Sequence, residues 1–376
     1  MTERMDRIHV FLGTKAQYIK TAPLLRLMDD QGVDYRLIDS GQHARLSVSM
    51  RADLGVRDPD YVLGGKEDVD TISHALLWSG RLTTRLRSPR RLRADVFGGA
   101  GGVCVVHGDT PSTLLATLMA RRAGLKVAHL EAGLRSHSLM NPFPEELIRL
   151  WVMRLSQLLF APDRAALANL RSMRLRGQVI PLRGNTVVEA LRHGLRAVGP
   201  PASGPVVVTM HRVENLRNRR RVDGMIRLVL RVADNHDVRF VLHGPTVQTL
   251  ARSGADQLLR EAGVDLSPLL PHFMFTRLLH TAPFVITDGG SIQEECALLG
   301  VPTLLWRLRS ERPDGLGANV VLSHYEPAVV DAFLANPERY RRDPFTPDVT
   351  PSKEILDSLL AALDDGAPGS GAVGPQ

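Results

Sequence analysis

A chain of 376 residues has room for two domains of ordinary size, and its 44% hydrophobic and 23% charged content excludes a disordered protein. The formal charge of +7 admits an anionic partner, but the densest basic runs, Arg85–Arg93 and Arg217–Arg221, match no nucleic-acid module and read as solvated. No apolar run is long enough to span a bilayer, and two isolated cysteines, Cys104 and Cys296, suit buried thiols in a reducing cytoplasm better than a metal or redox site.

Met1–Arg7 is charged and leads straight into Ile8–Leu12, so it does not read as a signal peptide. Short β-branched runs then alternate with helix-period segments, the pattern of parallel sheets with crossover helices. Strands are predicted at Ile8–Leu12, Tyr35–Ile38, Val103–Val106, Val127–Leu130, Leu158–Ala161 and Gln178–Leu182. A second set is predicted at Val206–Met210, Arg239–Leu242, Phe284–Thr287, Thr303–Trp306 and Asn319–Leu322. Between them, Ala197–Pro205 is rich in Pro and Gly and reads as a linker. The expected architecture is therefore α/β, with two doubly wound Rossmann-like domains, 1–196 and 206–350, and an active-site cleft between them. A C-terminal helix within 351–365 follows, free to pack back on the first domain. The Gly-, Ala- and Pro-rich tail 366–376 is expected to be disordered.

In open α/β sheets ligands sit beyond the carboxyl ends of the strands. Unusual residues fall there five times: Gly13-Thr-Lys15, Gly108-Asp-Thr110, Glu131-Ala-Gly133, His211-Arg212 and Asp288-Gly-Gly-Ser291. In the last, Gly289, Gly290 and Ser291 open a helix whose N–H groups suit a phosphate. A tight turn with Asp288 or Ser291 as helix cap explains the same residues. Glu295 suits either a helix's first turns or a ribose diol. His211 and Arg212 suit a diphosphate, with His243 a weaker parallel. Asp109 and Glu145 can serve as a cap and a solvated first turn, or as catalytic acids. Glu131 ends a buried type of strand, where a carboxylate needs a partner; Arg135 or Arg149 could supply it. The chain carries no GxGxxG after its first strand, no P-loop and no GxSxG elbow, which disfavours a nicotinamide dehydrogenase, a nucleoside-triphosphate hydrolase and an α/β-hydrolase.

Taken in order, Gly13–Lys20, Gly41-Gln-His43, His107–Thr110, His129–Arg135, Pro142–Glu146 with Arg149, Gly184–Val187, His211-Arg212, Thr287–Glu295 and Glu311-Arg-Pro313 resemble the UDP-N-acetylglucosamine 2-epimerase family. The resemblance runs from Ile8 to Leu322. It implies a glycosyltransferase-B-like fold and elimination of UDP from C1 as a proton leaves C2, giving a 2-acetamidoglucal. UDP then adds back on inversion, without cofactor or metal. Some members instead add water and release N-acetylmannosamine. By the same resemblance Asp109, Glu131, Glu145 and His211 are the catalytic set. Lys15, Lys20, Arg149, Arg212, His243, Phe275, Gly289, Gly290, Ser291, Glu295 and Arg312 then bind the UDP-sugar, with Phe275 against uracil unless it is a core residue. A UDP-sugar substrate and a homodimer are implied; a nucleic-acid or membrane partner is not. The region of Gln42, His43 and Arg212 matches the place where a second substrate molecule activates bacterial members. Departures from the family include Lys15-Ala-Gln17 for Arg-Pro-Glu, Gly289-Gly-Ser291 for Ser-Gly-Gly, Ile148 for Asn and Val213 for Arg. They bear on the exact sugar and base more than on the reaction type. A glycosyltransferase of this fold would leave the three acids of the first half surplus, and a non-catalytic sensor would have no need of them.

Overall fold

Valine, isoleucine and leucine runs buried on both faces can only be central strands of covered parallel sheets, and that is how they are used. The structure, a computed structural model, describes residues 6–41, 50–64, 88–137, 144–196, 203–310, 312–345 and 347–364. Gln42, His43, Pro142, Glu311, the greater part of the expected linker (197–202) and the expected tail lie outside them.

The chain divides into two compact units, one running to Glu189 and resuming at Val349, the other covering Ala190–Asp348. The divide falls within the helix Val187–Arg196, eight residues ahead of the proline-rich stretch at its nearest end.

In the first unit seven parallel strands lie in the order β3-β2-β1-β4-β5-β6-β7. They are β1 (Asp6–Leu12), β2 (Tyr35–Asp39), β3 (Tyr61–Val62), β4 (Gly101–His107), β5 (Lys126–Leu130), β6 (Leu158–Ala161) and β7 (Gln178–Pro181). Ile8 of β1 pairs with Tyr35 on one side and Val103 on the other. One core cluster gathers Phe11, Ile38, Phe97, Val106, Met119, Val127 and Val152. The helix Pro351–Asp364 packs on the helix Lys15–Asp30 and on β4, and Lys126 Nζ donates to Ala362 O at 2.7 Å.

The second unit repeats the plan with six parallel strands, β10-β9-β8-β11-β12-β13. These are β8 (Val206–Val208), β9 (Val238–Leu242), β10 (Asp265–Pro268), β11 (Val285–Thr287), β12 (Thr303–Leu305) and β13 (Val320–Leu322). Alternation of side chains sorts its core onto two faces. Val206, Val208, Phe240 and Ile286 join one cluster, and Val207, Val241 and Val285 the other.

All eleven predicted strands form. The strand predicted at Val206–Met210 stops at Val208, and the edge strands β3 and β10 were not foreseen. Both sheets place the first and fourth strands side by side at the centre, with successive strands wound outward from them, the order 3-2-1-4-5-6 of doubly wound nucleotide-binding folds. The turns after β1 and β4, and those after β8 and β11, therefore flank the topological switch points. Among the described residues no helix is long and apolar enough to cross a membrane.

Candidate active site

In the first unit the turn after β1 is packed so tightly that only glycine fits at position 13. A Cβ there would lie 2.4 Å from Ser40 Oγ and 2.6 Å from Ser112 Oγ. Thr14 caps the helix Lys15–Asp30 in a reciprocal capping box with Gln17, and half-buried Lys15 is the first helical residue. Gln17 does more than cap. Its Oε1 accepts from Gly13 N (2.7 Å) and Thr14 N (3.0 Å), while Nε2 donates to His107 O (2.7 Å), Thr113 Oγ1 (2.8 Å) and Thr110 Oγ1 (3.1 Å). One amide thus joins the turn bearing Lys15 to the turn bearing Asp109. A glutamate, having no donor when ionised, could not make the bond to His107 O.

Glu131 ends β5 with φ of 60°, a left-handed conformation that costs a non-glycine residue about 1–2 kcal/mol. Neighbouring bonds hold it there: Ala132 N donates to Phe160 O at 3.0 Å, and Asn169 Nδ2 to Gly133 O at 2.9 Å. The carboxylate is 9% exposed and is held by Lys20 Nζ and Asn185 Nδ2, each 2.5 Å from Oε1, with His107 Nδ1 4.0 Å from Oε2. Neither Arg135 nor Arg149 takes the expected place beside it. Arg149 is buried between Asp109 and Glu146 (2.8 Å), and Arg135 closes on the other oxygen of Glu146. Arg135 passes over the neighbouring Glu131 for Glu146, 11 positions away, and Arg149 reaches Asp109 across 40. Lys20 reaches Glu131 because helix and strand ends converge.

Asp109 is not a helix cap; Thr110 is. Glu145 is half-buried in the first turn of the helix Glu145–Leu155, beside the wholly buried Glu146. The arginine pair holds the Glu146 carboxyl below its usual range against the opposing effect of burial. His129 Nε2 lies 2.8 Å from Gly108 O, and burial pushes its pKa down to about 4.

The second unit is organised around one acid. Asp288 is fully buried and accepts from His211 N and Arg212 N, both at 3.0 Å, and from Asn215 Nδ2 at 2.9 Å. Its charge fixes the turn after β8 instead of capping the helix Gly290–Leu299, whose N-cap is Gly289 without a side-chain bond. That helix start, bearing Gly290 and Ser291, leaves N–H groups uncapped by any side chain, a site suited to an anion. His211 is 32% exposed, with Nδ1 3.5 Å from Asp288 Oδ1. Burial lowers its pKa, opposed by the Asp288 charge and aided by Arg212 and Arg307. The His243 ring lies against it, centroids 4.5 Å apart. Gly289 is needed here: a Cβ would lie 2.7 Å from His211 Cε1.

Arg312 pairs with Glu294 at 2.9 Å, and Glu295 is buried one residue further along. Phe275 is partly buried against the core cluster of Leu278, Val207 and Val241, the core position sequence left open for it. Sequence marks Gln17 only as a departure from the family pattern and gives it no role, and it gives Asn215 none either; the only signal for Asn215 is a polar side chain close to His211-Arg212. No group of three or more His, Cys, Asp or Glu side chains among the described residues is arranged to hold a metal.

The first unit therefore offers carboxylates balanced by cations at adjoining strand ends, a setting for proton transfer. The second offers a glycine turn, an open helix start, a histidine and an arginine, a setting for a diphosphate. The family model for UDP-N-acetylglucosamine 2-epimerase matches residues 25–342. The UDP-N-acetylglucosamine 2-epimerase of Methanocaldococcus jannaschii is 26% identical over 360 residues, 90% of this chain and 95% of the relative. A crystal structure of the UDP-GlcNAc 2-epimerase from that organism, in complex with UDP-GlcNAc and UDP, superposes with a TM-score of 0.79 at 25% identity, over 94% of this chain and 99% of that one. The Neisseria meningitidis enzyme bound to UDP-GlcNAc gives 0.80 at 26%, over 95% and 100%.

Proposed function

This chain belongs to the UDP-N-acetylglucosamine 2-epimerase family, and on that premise we propose that it inverts C2 of UDP-N-acetylglucosamine to give UDP-N-acetylmannosamine. The C2–H is barely acidic, so its removal is coupled to departure of UDP. The C2 proton passes to an enzyme base, the C2–H electrons form the C1–C2 double bond, and the C1–O bond breaks toward the diphosphate. UDP then adds back to the 2-acetamidoglucal as C2 is protonated on the opposite face. Positive charge and N–H groups at the leaving diphosphate lower this barrier. His211, Arg212 and the helix start at Gly290–Ser291 fill that role, with Lys15 as a further cation and Glu295 for the ribose.

Opposite faces require two proton-handling groups, and Glu131 and Glu145 are assigned to them. Asp109, tied to Arg149, orients a sugar hydroxyl. Lys20 is a positioning cation for Glu131, so its place in the scheme is beside the acid and not on the UDP. The observation that carries the reading is Glu131 itself: a strained, nearly buried carboxylate at a strand end, paired by two groups distant in sequence. Backbone strain of this kind clusters at functional sites.

A homodimer in a reducing cytoplasm completes the proposal. Trp151, 59% exposed on the helix Glu145–Leu155, is consistent with a covered face, and Cys104 and Cys296 are buried free thiols. Product analysis by proton NMR tests the reaction. UDP-N-acetylmannosamine should appear and approach equilibrium with substrate. Free N-acetylmannosamine accumulating with UDP would replace this reading with the hydrolysing one.

A further inference from the structure

The arginine run Arg217–Arg221, solvated by its sequence, opens the helix Arg219–Ala233 and forms part of a cavity of about 480 Å³ in the second unit. That volume is within the range of small-molecule sites. Four guanidiniums line it, from Arg220, Arg221, Arg227 and Arg231, against one carboxylate, Asp331. Asp331 pairs with Arg231, and Arg221 lies over the Tyr325 ring at 4.6 Å. Arg220 and Arg227 have no ion-pair or hydrogen-bond partner among the described residues. The floor is apolar. The Trp306 indole lies beneath Gly224, where a Cβ would sit 3.0 Å from Cζ2, and Trp306 meets Tyr325 edge-on at 5.3 Å.

Guanidinium forks match phosphate oxygens, and a flat apolar floor matches a ring. The floor is also tied to the turn described above. Asn215 Nδ2 donates to Trp306 O (3.1 Å) and to Asp288 Oδ2 (2.9 Å), and Tyr325 OH donates to Asn215 Oδ1 (2.8 Å). Tyr325, Trp306, Asn215 and Asp288 thus form one hydrogen-bonded chain from the floor to the His211–Arg212 backbone.

We propose that this pocket is a second ligand site, taking a phosphorylated small molecule with a flat apolar body, and that its occupancy is transmitted through Tyr325 and Asn215 to the His211–Arg212 turn. Binding stands on the pocket alone; transmission rests on the UDP-holding role proposed for that turn.

The chain has three tryptophans, so Trp78→Phe with Trp151→Phe leaves Trp306 as sole reporter. Titration with ATP, a triphosphate probe matched to the net positive lining, should quench it saturably. Inorganic tripolyphosphate, which lacks the ring, should act at least tenfold more weakly. Arg220→Glu with Arg227→Glu should weaken ATP at least tenfold while turnover without ATP is unchanged. No saturable quench, or one the double variant leaves untouched, overturns the site, and equal action by tripolyphosphate overturns the ring. ATP should also change UDP affinity, read by calorimetry, at least threefold. Tyr325→Phe keeps the ring but not the bond to Asn215, so it should keep ATP binding and lose that change; a change that survives overturns the relay. A protein that binds no UDP would sink the proposed function and with it the relay, leaving the quench to decide the pocket.

Discussion

In the first unit Glu131, Asp109 and Glu146 each face a cation, so their charges are balanced and their positions are set by side chains from other elements. In the second unit Asp288 spends its charge on two backbone N–H groups and an amide, shaping a turn. The same doubly wound order thus serves two purposes. At one switch point stand acids paired with cations, and at the other an acid bonded to the backbone of a turn. Loss of an acid should cost proton chemistry in the first unit and turn geometry in the second.

The largest effect is expected at Glu131. Glu131→Gln should lower kcat about 100- to 10,000-fold, the range for a lost acid/base group. It should also lower stability, because the buried Lys20 ammonium loses the carboxylate charge that faces it at 2.5 Å. Adding Lys20→Met should return much of the stability to urea but none of the turnover. Recovery of turnover would assign Glu131 to structure alone.

Acid should unfold the first unit next. His129 is fully buried with its pKa pushed to about 4, so it stays neutral when folded and gains a proton on unfolding. Its contribution is complete above pH 6.5 and is lost as pH falls from 6.5 toward 4, roughly 3 kcal/mol in all. Urea midpoints across that window should fall more steeply in the wild type than in His129→Gln.

Asp288→Asn keeps the shape but offers one acceptor oxygen in place of two, stranding a backbone N–H at a cost of about 1–3 kcal/mol. UDP affinity, read by calorimetry, should fall, and the His211 pKa should drop further because the Asp288 charge that opposes its lowering is gone. Unchanged UDP affinity would show that the turn does not depend on Asp288. The smallest change is Gly289→Ala, whose Cβ displaces His211. KM should rise about tenfold, the scale of a modest misplacement, with the thermal midpoint nearly constant.

Sequence was most legible where the signal is local. Central strands such as Val103–Val106 declare themselves because both faces are buried. The edge strand Asp265–Pro268 has two exposed residues and a proline, and no pattern marks it. Which polar residues stand at the strand ends was legible too, but not their partners. Lys20 meets Glu131 across 111 positions, and His211 N meets Asp288 across 77. Such pairings are set by topology, and a nearby arginine is the natural but mistaken guess. The bridging role of Gln17 is hidden for a related reason: its three donor contacts lie 90, 93 and 96 residues away.

The central claim, that acids of the first unit move the C2 proton of a UDP-sugar, is tested most directly in deuterium oxide. Incubation with UDP-N-acetylglucosamine, followed by proton NMR, should show deuterium at C2 of the product and then of the recovered substrate in the wild type. Glu131→Gln should show neither above a hundredth of the wild-type rate. Turnover that leaves the C2 proton in place would contradict the account.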